Sequence, residues 1–196
     1  MRKGGAVLMA LGGVLILAAL ALLLYNRWDN ARAGSAAQTV LEALQEASAD
    51  SDVDLPIYNQ PADGEMDTVT LDGYSYIGTL TIPALELELP VMDQWSYPGL
   101  KIAPGRYAGS VWTDDLVICG HNYQRHFGTL KYLEPGDALS FTDVNGTVFH
   151  YEVGEVVVLQ PTQIEDMMES GWDLTLFTCT TDGRTRVTVR CVSTNP

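Results

Sequence analysis

Hydrophobic positions are distributed in three different ways along this chain. Between residues 4 and 25 no side chain is charged, and residues 7–24 are nearly all Ala, Leu, Val, Ile, Met and Gly. Such a run predicts a helix that is apolar on every side, as a bilayer requires. At about 1.5 Å per residue it reaches roughly 33 Å, enough for a hydrocarbon layer of about 30 Å. Over residues 36–49, Ala36, Val40, Leu41, Leu44 and Ala47 recur at near-helical spacing. They predict a spacer helix that packs on the C-terminal domain. Residues 48–70 hold Asp, Pro, Gly and Asn without periodicity and predict a linker.

From residue 74 the pattern is that of strands. Residues 76–82 stop at Pro83, and residues 87–91 carry Pro90, which suits an edge. A short apolar run covers 116–119. Residues 139–144 and 147–159 are joined by Asn145-Gly146, a strong hairpin signal. Residues 162–168 predict a turn or two of helix, with Thr162 and Glu165 spaced as a capping box. Residues 174–178 and 186–192 predict the last two strands. Seven or more short strands with little helix predict a mainly all-β domain, a closed barrel or a sandwich.

Charge sharpens this division. Arg2, Lys3, Arg27 and Arg32 face only Asp29 within residues 1–32, so that segment carries +3 and the remainder −17 of a total of −14. Tyr25 and Trp28 stand where an interfacial belt is expected. The expected organisation is a cytoplasmic stub and transmembrane anchor (1–32), a helical stalk and linker (33–72) and a β-barrel (73–196). The acidic domain is placed outside the cell membrane on a single-pass anchor. Ala31-Arg32-Ala33 also resembles a signal-peptidase site, but the apolar run exceeds the usual signal core of about 7–15 residues. An acidic surface argues against nucleic acid as a partner. Three cysteines cannot make a dense disulfide framework. Cys119 and Cys191, within apolar runs, are expected to be small buried hydrophobes, with a disulfide between them left open.

No phosphate-binding glycine loop, GxSxG or HExxH occurs. What remains is one His, one Cys and one Arg, each at a strand end: His121, Cys179 and Arg186. A thiolate attacks an acyl carbon, an imidazole delivers the proton that a leaving amine needs, and a guanidinium holds oxyanion charge. Those three types suffice for acyl transfer through a thioester, with no cofactor. Spacing alone does not bring them together. Cys119, His121 and His126 match no zinc spacing and lack a fourth ligand, so no metal is expected. His150 is expected on a strand surface. Trp95 and Tyr97 are expected to pack locally.

Gly120-His121-Asn122, Leu174-Thr-Leu-Phe-Thr-Cys179 and Arg186-Val-Thr-Val189 resemble the sortase family, in the family's order of His, TLxTC and Arg. Residues 76–83, 89–91 and 127–137 add to a resemblance running from about residue 74 to 192. It implies an eight-stranded barrel, a membrane anchor and a cysteine transpeptidase of Gram-positive surfaces, nearest to class B or class D. Implied partners are proteins bearing an LPxTG-like sorting signal, with a cell-wall precursor amine or a pilin lysine as acceptor. His121, Cys179 and Arg186 become the implied catalytic set, Thr178 and Asn122 substrate contacts. Arg184 competes with Arg186, which is preferred because it directly precedes a Val-rich strand. The short 180–185 connection leaves the exact sorting signal open. L,D-transpeptidases carry a histidine beside the cysteine, absent here, and papain-like peptidases have Cys before His. The non-enzymatic alternative is an inactive relative that binds surface partners.

Overall fold

The computed structural model describes residues 2–49, 64–168 and 171–195. One helix, α1, runs Arg2–Ala49. It joins the apolar helix and the spacer helix predicted separately, and no proline interrupts residues 26–35. Met1–Arg32 and Ala33–Pro196 are separate compact units. In the first, the large apolar side chains from Val7 to Trp28 are exposed. This is the one helix among the described residues long and apolar enough to cross a membrane.

In the second unit the helix turns amphipathic. Ala33, Ala37, Leu41 and Leu44 are 0%, 3%, 5% and 6% exposed, a stripe of i, i+4, i+8 and i+11. Ala37 joins the main barrel core and Leu44 packs with Tyr76, Met92 and Ala103. Burying each leucine contributes about 1.5–3 kcal/mol, which fastens the stalk helix to the domain. Most of the expected linker, 50–63, lies outside the described residues.

The strands are β1 (Val69–Leu71), β2 (Tyr74–Ile82), β3 (Leu87–Met92), β4 (Gly105–Ala108), β5 (Leu116–Gly120), β6 (Ala138–Asp143), β7 (Val148–Leu159), β8 (Leu174–Cys179) and β9 (Arg186–Ser193). Their order is β1-β2-β3-β4-β5-β8-β9-β7-β6, and a β2–β6 pairing closes eight of them into a barrel. β1 extends the ring by pairing with the start of β2. Sequence pattern missed β1 and β4, which are three and four residues long. Pro90 sits opposite Thr79 of β2, while on β3's other side only Met92 pairs with β4. The missing N–H of Pro90 therefore breaks no ladder. The β6–β7 turn forms at Asn145-Gly146 as expected, with Gly146 at φ 86° and the Asp143 carboxylate accepting from the N–H groups of Asn145 and Thr147. The short helix α2 (Ile164–Met168) starts later than the Thr162 box implies. Gln163 instead links the Gln160 N–H to the Asp166 carboxylate.

Strand parity separates two apolar layers. Leu116, Ile118, Leu174, Leu176, Val187, Val189 and Cys191 fill the barrel. Val117, Cys119 and Phe177 point the other way, and with Leu100, Leu159 and Met167 form a second cluster on the outer wall. Cys119 and Cys191 thus lie on opposite faces. All three cysteines are free, so no disulfide joins them.

Candidate active site

The outer wall is where the three chemically capable residues meet. β8 and β9 are antiparallel with Cys179 opposite Arg186. The next pair, Thr180 and Thr185, is hydrogen-bonded, Thr180 N–H donating to the Thr185 carbonyl at 3.0 Å. Pairs alternate along such a ladder, so Cys179 and Arg186 form a non-hydrogen-bonded pair, with Cα atoms about 4.5 Å apart and side chains on one face. The connecting turn is held by its own side chains. Thr180 Oγ1 donates to Asp182 at 2.6 Å, Thr185 N–H donates to Thr180 Oγ1 at 3.2 Å, and Gly183 takes φ 72°. The Thr180 hydroxyl and the Arg184 N–H hold the Asp182 carboxyl below its usual range.

β5 runs parallel to β8 on the other side, with Gly120 opposite Thr178. Two side-chain bonds bracket the next position. Thr178 Oγ1 donates to the Gly120 carbonyl at 2.8 Å, and Asn122 Nδ2 donates to the Thr180 carbonyl at 3.4 Å. His121 lies between those ties on one chain and Cys179 on the other, at the spacing of adjacent strands, about 4.8 Å. His121, distant in sequence, thus shares one corner of the sheet with Cys179 and Arg186.

The remaining expectations fall out of the same geometry. Thr178, expected as a substrate contact, is 3% exposed and its hydroxyl is committed to β5. Asn122 is exposed at the rim. Arg184 lies in the turn, 86% exposed, facing Asp182 at 4.0 Å. The Arg186 guanidinium donates through Nη1 to the carbonyls of Thr185 and Gly183, at 3.0 and 3.3 Å. Burial pushes the Cys119 thiol up to about 12, with the nearby Cys179 sulfur adding to the rise. Cys119 is therefore a protonated floor beneath the site, not a rival nucleophile. Cys179 is half-buried. His150 is exposed on β7.

Sequence reasoning underrated two features. A ladder of rings leaves the site along the outer wall: Phe177 meets Tyr107 edge-on at 5.2 Å, Tyr107 stacks on Trp95 at 5.8 Å, and Trp95 meets Tyr97 at 5.5 Å. Alternation of Phe177 with Cys179 on one strand was the available signal. The other is His126, fully buried, its Nε2 3.3 Å from the Ala33 carbonyl. Among the described residues no cluster of three metal-ligating side chains occurs.

A Cys, a His and an Arg at one strand end of a closed eight-stranded barrel are side chains of the types that thiol acyl transfer uses. Known proteins point the same way: residues 80–194 match the Sortase domain family, more than half of the chain. The protein belongs to the sortase family. Sortase A of Bacillus anthracis is 28% identical over 133 residues, 65% of this chain and 63% of that protein, so the chain spans less than two thirds of that relative. Sortase C1 of Streptococcus suis is 28% identical, covering 62% of this chain and 74% of its own, with a TM-score of 0.53. The Sortase D5 transpeptidase of Clostridium perfringens shares the fold at 18% identity, with a TM-score of 0.61, over 82% of this chain and 99% of its own.

Proposed function

We propose that this chain is a cysteine transpeptidase that cleaves an LPxTG-like sorting signal and joins the released carboxyl to an amine of the cell wall or of a pilin. The observation that carries the reading is the placement of His121 beside Cys179, bracketed by the Thr178–Gly120 and Asn122–Thr180 bonds, with Arg186 opposite. The Cys179 thiolate attacks the carbonyl after the threonine of the signal, and Arg186 stabilises the oxyanion. The C–N bond breaks as His121 protonates the departing amine, leaving a thioester on Sγ. The acceptor amine attacks the thioester, His121 takes its proton, and the thiolate is regenerated. No cofactor or metal enters this scheme. Asn122 and Thr178 serve it by fixing β5 against β8, with Asn122 also open to substrate at the rim.

Residues 1–32 supply a cytoplasmic stub and a single-pass anchor, 33–72 a stalk, and 73–196 an extracytoplasmic catalytic barrel. The competing reading is an inactive surface-binding relative. Incubation with an LPxTG-type peptide library, followed by intact-mass detection of an acyl adduct on Cys179, tests between them. An adduct lost in Cys179→Ala supports the transpeptidase. Turnover surviving that substitution, or no adduct with any peptide, sinks it.

A further inference from the structure

The loop that carries His121 is tied to the stalk helix by a chain of contacts that the acyl-transfer scheme does not itself require. The His121 carbonyl accepts from the Phe127 N–H at 3.2 Å, and Phe127 is fully buried, so the backbone at His121 is anchored in the core. Its ring lies 5.2 Å from that of Tyr123, and the Tyr123 ring lies 5.5 Å, edge-on, from that of His126. The Tyr123 carbonyl accepts from the N–H groups of both His126 and Gly128, at 3.0 and 2.9 Å. This closes the loop into one packed unit.

His126 then reaches out of that unit. It is 0% exposed, and its Nε2 donates to the carbonyl of Ala33, the first residue of the stalk part of α1. A helical carbonyl has a second lone pair for such a bond. The neighbouring residue must be small: a Cβ at Gly34 would come within 2.3 Å of Arg125 Cδ and 3.2 Å of its Cβ and Cγ. Ala33 and Ala37 are likewise small and buried. The helix approaches the histidine loop closely because this face of it carries almost no side chain.

We propose that Tyr123 and His126 are positioning residues for His121, and that α1 from Ala33 onward sets that imidazole through the chain Ala33 carbonyl, His126, Tyr123, His121. The inference rests on the proposed role of His121 as proton donor to the leaving amine. A histidine displaced by a fraction of its length no longer reaches that amine, whereas none of these contacts involves Cys179 or the ring ladder on the outer wall. The loss therefore falls on kcat and spares KM.

The experiment uses the full chain in detergent micelles, with rates expressed per Cys179 sulfur titrated by a thiol reagent. That normalisation removes any loss of folded protein. His126→Phe keeps a ring against Tyr123 and removes the N–H. Tyr123→Leu removes the ring between the histidines, and Tyr123→Phe restores it. Gly34→Val crowds Arg125 where the helix meets the loop while leaving every loop residue unchanged, and serves if His126→Phe fails to fold.

Expected is a fall in kcat of about 10–100-fold for His126→Phe, Tyr123→Leu and Gly34→Val, with near wild-type turnover for Tyr123→Phe. KM stays within about twofold. In a His121→Ala background His126→Phe adds no further loss, since both act through one group. Wild-type kcat per titrated site in all three disruptive variants, or additive losses in the double variant, overturns the proposal. If His121→Ala itself turns over normally, the reading beneath it fails instead.

Discussion

Arg184 and Arg186 differ by two positions, and their substitution separates the oxyanion role from general positive charge. Only Arg186 is paired across the ladder from Cys179, with a Cα separation of about 4.5 Å. Arg184 is in the turn, 86% exposed and directed at Asp182. Removing one preorganised oxyanion donor costs about 2.7–4 kcal/mol, a factor of about 10²–10³ in kcat. Arg186→Ala is therefore expected to lose that factor in acyl-enzyme formation, and Arg184→Ala to stay near wild type. Arg186→Lys keeps the charge as a point and loses the planar fork, so it falls between them. The assay is quenched acylation of Cys179 by an LPxTG-type peptide without an added amine acceptor, followed by intact mass. Arg186 also holds two turn carbonyls through Nη1, so some stability is lost with it, and rates are taken per titratable Cys179. A larger loss in Arg184→Ala than in Arg186→Ala refutes the reasoning, as does Arg186→Ala acylating within a few-fold of wild type.

The same geometry sets three further outcomes. In the folded protein at about pH 8, iodoacetamide should label Cys179 alone: Cys119 and Cys191 are buried with thiols pushed up to about 12, leaving about one thiolate in 10⁴. A second adduct by mass before unfolding contradicts this. Burial raises the Asp143 carboxyl despite its bonds to the Asn145 and Thr147 N–H groups, with nearby Asp67 adding to the rise. A raised native value favours the protonated form, so its stabilisation is complete below about pH 4 and is lost as pH rises through the native value. The melting temperature of wild type minus that of Asp143→Asn should thus fall from about pH 4 to pH 7; a flat or rising difference counts against it. Thr178→Val removes the buried bond to Gly120 and should cost about 0.5–1.5 kcal/mol in urea unfolding, where no loss would contradict the tie between β8 and β5.

Legible in the sequence was whatever local pattern dictates. An unbroken apolar run fixes a helix, Asn145-Gly146 fixes a turn, and a strand ending in Cys179 before a polar turn fixes where a thiol emerges. The barrel's closure was not legible from the residues themselves, because β2–β6 and β5–β8 join strands distant in sequence with no turn between them to mark the pairing. β1 and β4 were too short for a period to register. The helices predicted over residues 4–25 and 36–49 are one, because amphipathicity begins at Ala33 while helicity is already under way.

The same distinction explains why the candidate site divides as it does. Cys179 and Arg186 are joined by a hairpin, so strand parity and a short turn nearly oblige them to meet, and Arg186 could be preferred from the valine-rich strand it opens. His121 has no such local obligation. Its place depends on a parallel pairing of β5 with β8 and on a loop whose outermost support is a helix 93 residues earlier, at the Ala33–His126 contact. A histidine that lies in a loop and needs distant support is also the member of the set most easily moved. Cys179 and Arg186, the proposed nucleophile and oxyanion partner, are built into one hairpin, whereas the loop of His121, the proposed proton donor, is held by packing between two separate parts of the chain. On the proposed reading, a substitution that shifts the stalk at Ala33 is expected to alter the proton-transfer steps before the reactivity of the Cys179 thiol.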